Sequence, residues 1–193
     1  MGPGQRRERR HWQRIRAGPL PAWFQRDHPR ARRAETPPRG GKIRLLVIDA
    51  IKASWTDEET DKKVLNAVTG VQLTMLINNV RGAGAARGAW APIMQRSAGE
   101  LDALINLNAA FMTQMTRVLI PVLAQRQRAA IVNISSAAEL VPAPYLVAYS
   151  AAKAYVSRCS VSLDAELRVE SQGHIDVHSL IVGAVATPNA SHD

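Results

Sequence analysis

Cysteine is nearly missing from this 193-residue chain: Cys159 stands alone, which excludes an internal disulfide and favours a reducing compartment, so a cytoplasmic setting is expected. Long apolar runs are missing too. None reaches eighteen residues, and no segment is therefore expected to span a membrane. Acidic residues are scarce at one end only. Residues 1–40 hold eleven Arg against Glu8, Asp27 and Glu35, whereas the remainder carries 14 basic and 13 acidic side chains. The formal charge of +9 thus describes a tail rather than a basic binding face. That tail mixes Arg clusters with Pro and Gly and has no sustained period, as expected of a disordered segment over residues 1–40. It also has no Ser, which argues against an organelle presequence. Arg clusters attract phosphates, and Trp12, Trp23 and Phe24 are able to stack on bases, but a solvated leader is the expected reading and nucleic acid is not an expected partner.

What is present is one domain's worth of alternating pattern, with 46% hydrophobic residues. Ile43 to Ile48 is a short apolar run ending in Asp49, as in a buried parallel strand. Residues 57–68 read as a helix with acidic residues in its first turn and Gly70 beyond its end. Val71 to Ile77 reads as a second strand ending in Asn78 and Asn79. Ser97 and Glu100 have the spacing of a capping box and open a long helix through about Arg126, with an apolar stripe that includes Leu104, Asn108, Met112 and Leu119. Pro121 predicts a kink in its last turns. Ala130 to Ser135 is the third strand, Tyr145 to Ser171 the next helix with Gly173 as its stop, and Ile175 to Val182 the fourth strand. Strands alternating with helices imply an α/β fold with a parallel sheet and right-handed crossovers.

The stretch from Asn133 to Lys153 carries the chemistry. Ser136 precedes Tyr149 by thirteen residues, and Lys153 follows it by four. On a helix, Tyr149 and Lys153 share one face a turn apart, so the ammonium lies near the phenol oxygen. A positive charge there stabilises phenolate and lowers a pKa that is about 10 in free tyrosine, suiting the group to proton transfer near neutral pH. Ser136 ends an apolar strand, where its hydroxyl can bond a substrate oxygen.

With these residues in place the sequence resembles the short-chain dehydrogenase/reductase family over about Ile43 to Thr187. The nearest branch is that of long-chain 3-ketoacyl-CoA reductases and 17β-hydroxysteroid dehydrogenases, on the NISS, P-x-P and YSA-K runs. The resemblance implies a Rossmann-like, doubly wound parallel sheet. It implies Ser136, Tyr149 and Lys153 as catalytic residues, with Asn106, five before Phe111 in INLNAAF, as a fourth that positions a water in a proton relay to the lysine. Asp49 would contact the adenine ring, Asn78 would lie beside the adenosine, and Val185 and Thr187, in the run from Gly183, would lie near the nicotinamide carboxamide. Tyr149 and Lys153 also belong to the cofactor site, Lys153 holding the nicotinamide ribose. The implied activity is NADP(H)-dependent reduction of a ketone on a hydrophobic substrate such as a 3-oxoacyl thioester, a steroid or a polyketide. NADP over NAD rests on the branch alone. A homodimer through the two long helices is implied, and peripheral association with the endoplasmic reticulum is compatible with it.

The chain departs from the family in several places. The strand and the T-G-x-x-x-G-x-G turn that bind the pyrophosphate are expected before Ile43 and are not found there, and the substrate-binding helices are expected beyond Asp193. Gly82, Gly84 and Gly88 lead toward Pro92 rather than a helix, so they read as a mobile loop and not as that turn. Arg81 and Val182 stand where the family has Gly and Pro. The competing expectation is therefore a truncated, catalytically inactive fragment that acts, if at all, through association. His174 and His178 lie too far apart on one strand for a compact metal site, and no metal is expected. Cys159 reads as a packed small residue, and Glu139 and Asp164 have no spacing of paired carboxylates.

Overall fold

Strands buried within a parallel sheet require short, strongly apolar sequence, and three such runs pair: β1 (Met75–Asn78), β2 (Ala129–Ser136) and β3 (Ile175–Val182). They lie in the order β1-β2-β3, all parallel. The computed structural model describes residues 43–56, 58–80, 82, 90–170 and 172–183. All of these except Ile43 belong to one unit, Arg44–Asp193. The expected Arg-rich tail, Asp57, Gly84, Gly88, Val185 and Thr187 lie outside the described residues.

The helices are α1 (Glu59–Val68), α2 (Ala98–Ile105), α3 (Phe111–Leu123) and α4 (Val147–Val169). Glu59 and Asp61 place negative charge in the first turn of α1, and Gly70 at φ 71° supplies the left-handed turn just past its end. Ser97 caps α2 as the sequence predicts: its hydroxyl accepts from Glu100 N at 3.3 Å, while Glu100 Oε2 accepts from Ser97 N at 2.8 Å.

Side by side across the sheet, Leu76, Ile131 and Val177 point to one face. They bury there with Val64 of α1, Val118, Leu119 and Leu123 of α3 and Leu167 of α4. The described helices therefore cover that face. Alternate residues point the other way, where Met75 and Ile77 are about half exposed, at 52% and 57%. Arg117 Nη2 reaches both oxygens of Asp61, at 2.8 and 2.7 Å, and ties α3 to α1.

Three expectations need correction. Ile43 to Ile48 forms no strand; Leu45 and Val47 are 90% and 94% exposed. An apolar run becomes a strand only where a neighbour takes up its N–H and C=O groups, and no described strand pairs with it. The second strand is also shorter than expected, beginning at Met75 rather than Val71, because pairing with β2 starts there. Finally, the helix expected from Ser97 to Arg126 is not uniform. A π-helical turn, Asn106–Ala110, separates α2 from α3. Pro121 does lie in the last turn of α3, which still closes through Ala124 N to Ile120 O at 2.8 Å.

Candidate active site

α4 begins just after Pro142 and Pro144, which bias the preceding residues toward extended backbone and delay the helix to Val147. Tyr145, between those prolines and the helix, has φ 68°, a strained value for a bulky residue. Its carbonyl accepts from Ala91 N at 3.3 Å, which pins the loop. Tyr149 and Lys153 follow one turn apart on the buried face, at 8% and 2% exposure. The Lys153 ammonium donates to the Ile134 carbonyl at 3.0 Å and lies 5.9 Å from the centre of the Tyr149 ring. A buried ammonium requires such acceptors, since removing it from water unpaired is costly. Ser136, the last residue of β2, is half-buried two positions beyond Ile134, and its hydroxyl accepts from Ala138 N at 3.3 Å. The amine thus lies on the same helix face as the Tyr149 ring, and the strand that anchors it ends in Ser136.

Beneath this pair, the inward face of the sheet turns polar toward its carboxyl end. Asn133, fully buried, donates to Ser160 Oγ at 2.9 Å and accepts from Asn78 Nδ2 at 2.8 Å. Asn78 also reaches Thr116 Oγ1 at 3.0 Å. The Asn78 amide therefore ties β1 to β2 and α3. Asp49 is exposed, and its carboxylate accepts from Ile51 N and Lys52 N at 3.0 and 3.3 Å, capping a tight turn. Gly183 follows β3, whereas Val185 and Thr187 lie outside the described residues.

Of two nearby asparagines, Asn108 is buried and Asn106 is exposed. The Asn106 amide donates to the Ile51 carbonyl at 3.5 Å. Asn108 is 2% exposed: its amide donates to Gly82 O at 2.7 Å and Leu104 O at 2.9 Å, and its oxygen accepts from Gly82 N at 3.2 Å. Gly82, expected in a mobile loop, is thereby held at both backbone groups. A Cβ there would come 2.5 Å from Leu107 Cδ2, so the Leu107 side chain would have to turn aside. The sequence signal was available: Asn108 is a polar residue within the apolar stripe, one turn from both Leu104 and Met112. The π-helical turn on which it sits leaves α-helical carbonyl pairing disrupted, a feature frequent at functional sites.

The remaining titratable groups are peripheral. Burial pushes the Cys159 thiol up, against a smaller lowering from its hydrogen bond with Tyr155, so it is a poor nucleophile. The exposed Arg168 guanidinium holds the Asp164 carboxyl below its ordinary range. Among the described residues no three His, Cys, Asp or Glu side chains are grouped to hold a metal, and no helix is long and apolar enough to cross a membrane. An apolar groove of about 380 Å³ opens between α4 and the α2–α3 junction, floored by Ala109, Ala110, Ala148, Ala151 and Ala152 and flanked by Ile105 and Tyr155.

The family model of the short chain dehydrogenase matches residues 32–193. Over 148 residues the chain is 32% identical to a very-long-chain 3-oxoacyl-CoA reductase of Neurospora crassa, covering 77% of this chain and 42% of that one. It is 28% identical over 131 residues to a 17-beta-hydroxysteroid dehydrogenase type 3 of Danio rerio, covering 66% and 40%. The chain thus spans about two fifths of these relatives' length. A solved short-chain dehydrogenase from Sphingobium yanoikuyae, in complex with NADPH, superposes with a TM-score of 0.55 and 28% identity over 64% of this chain and 45% of that one. The parallel sheet, the Tyr149 and Lys153 face of α4 and these similarities agree, and the chain belongs to the short-chain dehydrogenase/reductase family.

Proposed function

We propose that the chain is an oxidoreductase that reduces the ketone of a hydrophobic substrate with NADP(H), and that Tyr149 delivers the proton. The observation that carries this reading is the buried Lys153 ammonium, fixed to β2 and facing the Tyr149 ring at the carboxyl end of the sheet, where parallel α/β sheets bind ligands. The substrate class follows the relatives' names: a 3-oxoacyl thioester first, a steroid or polyketide next. NADP is taken over NAD on the branch the sequence resembles, since one solved neighbour holds NADPH and another holds NAD.

The described residues fit the nicotinamide end of such a cofactor. Lys153 supplies a donor for ribose hydroxyls, and Val185 and Thr187 are proposed to contact the carboxamide. Asp49 and Asn78 are assigned to the adenosine end. For Asn78 the assignment is indirect, because its amide is engaged by Asn133 and Thr116 and it would shape the floor instead. The nicotinamide supplies the hydride when bound. Ser136 donates a hydrogen bond to the substrate carbonyl oxygen and so orients it. Tyr149 gives its proton to that oxygen as negative charge develops. Lys153, fixed to the Ile134 carbonyl, sets a positive charge beside the Tyr149 ring. We assign the fourth role, positioning a water in a proton relay to Lys153, to Asn106 at the start of the π-helical turn. The alanine-floored groove suits the close approach of helices from a second copy, and we place a homodimer contact there.

Titrating the purified chain with NADPH, followed by nucleotide fluorescence, tests the reading. Saturable binding below millimolar cofactor is expected. Its absence at millimolar NADPH would leave an inactive fragment as the account of this chain.

A further inference from the structure

One carboxylate close to the site has no part in the chemistry above. Glu139 ends the 3-10 turn Ala137–Glu139 that follows Ser136, and it is half-buried. Its Oε2 accepts a short hydrogen bond from Ser135 Oγ on β2 and another from Ser157 Oγ on α4 at 2.7 Å. Ser157 Oγ also lies 2.9 Å from Ser179 Oγ on β3. Since the single Ser157 proton goes to the carboxylate, Ser179 must be the donor in that pair. One oxygen of Glu139 thus gathers β2 and α4 directly and β3 through Ser157.

Two of the gathered residues adjoin Ser136 and Lys153 along the chain. Ser135 is 3% exposed and precedes Ser136; Ser157 lies one turn beyond Lys153 on α4. Ser135 Oγ is also 2.8 Å from the Lys153 carbonyl, so its one proton has two acceptors. An ionised carboxylate is the stronger of them, and hydrogen bonds to charged acceptors are roughly twice as strong as neutral ones. Without the carboxylate, Ser135 would turn to the lysine's carbonyl while Ser157 lost its charged acceptor. A carboxylate is a costly way to staple three elements that packing alone could hold, unless the geometry of what it staples matters.

We propose that Glu139 is a positioning residue: it locks the end of β2 against the turn of α4 that carries Lys153, and so fixes the distance between the lysine's anchor at Ile134 and the helix that bears Tyr149. The proposal rests on the role given to Tyr149 and Lys153 above. Its test has a readout independent of catalysis, the reactivity of the Lys153 amine to a brief pulse of acetic anhydride, measured by peptide mass spectrometry on the full chain.

Glu139→Ala should raise Lys153 acetylation about tenfold, the effect of losing one buried charged hydrogen-bond partner. Glu139→Gln, whose amide oxygen still accepts both serine hydroxyls, should restore it to within about twofold of the parent. Leu167→Ala serves as a control for general loss of stability, because Leu167 is buried in the apolar core away from this network. The proposal is overturned if Lys153 reactivity in Glu139→Ala matches the parent, if it rises no more than in Leu167→Ala, or if Glu139→Gln fails to reverse it. NADPH affinity forms a second arm: Glu139→Ala should weaken it, and Glu139→Gln should recover it. A parent chain that binds no NADPH would refute the functional reading, while the acetylation result would still decide the role of Glu139.

Discussion

The two ends of one sheet face are held by different physics. At the amino end, Leu76, Ile131, Ile175 and Val177 pack against Val118, Leu119, Leu123 and Leu167, an aliphatic core held by burial alone. At the carboxyl end of the same strands stand Asn78, Asn133, Ser135 and Ser179, bonded to Thr116 of α3 and to Ser157 and Ser160 of α4, directly or through Glu139. Within four residues of β2 the face changes from Ile131 to Ser135. Apolar packing is non-directional and tolerates small shifts, whereas a hydrogen bond fails beyond a few tenths of an ångström. The amino end therefore supplies stability, and the carboxyl end supplies position beside the strand that anchors Lys153 and ends in Ser136.

Substitutions can separate these two contributions. The largest loss of stability is expected from Leu123→Ala: the side chain is fully buried, and such truncations cost about 2–5 kcal/mol in denaturant unfolding. Provided the variant stays folded, its NADPH affinity should be nearly that of the parent. Asn133→Leu should cost less stability, about 1–3 kcal/mol, by leaving Asn78 and Ser160 without their shared partner. It should nevertheless weaken NADPH binding more than Leu123→Ala does. If the apolar truncation costs more affinity than the polar one, the division of labour is wrong.

Smaller effects sharpen the same contrast away from the site. Ser97→Ala removes the capping box of α2 and should cost about 1 kcal/mol in unfolding with cofactor affinity unchanged. Asp164→Asn should change least. The Asp164 carboxyl is held low by Arg168, so whatever stability the pair contributes is present above the unfolded carboxyl's pKa and lost as pH falls through the lower folded value. Because the Arg168 side chain is 59% exposed, solvent screens the pair, so the unfolding midpoints of variant and parent should differ little at neutral pH and converge in acid.

The contrast also explains what the sequence disclosed. Periodicity located α1, α4, β2 and β3 well, because each buries a face whose apolar spacing is set by its own geometry. The capping box was legible because it is local, two side chains and two backbone amides within four residues. The spacing from Ser136 to Tyr149 to Lys153 was legible for a related reason, since one turn of helix fixes the last two. Pairing was not legible: Ile43 to Ile48 has the composition of a strand but no described neighbour, and a neighbour is a property of the whole sheet. The π-helical turn at Asn106–Ala110 was hidden as well, since one extra residue in a turn leaves the apolar stripe almost unchanged. Asn108, sharing its stripe with Leu104 and Met112, is fixed against Gly82, a contact that spacing along the chain does not show. Glu139 gave no sequence signal, because its partners Ser135, Ser157 and Ser179 come from three separate elements.

The most direct test of the account compares the parent chain with Tyr149→Phe in NADPH-dependent reduction of a hydrophobic 3-oxoacyl thioester, with cofactor binding measured in parallel. The variant keeps the buried ring beside Lys153 and removes only the hydroxyl, so NADPH affinity should stay within about twofold of the parent while turnover falls by at least about a hundredfold. A Tyr149→Phe protein that turns over at the parent rate would contradict the assignment of the phenol as proton donor.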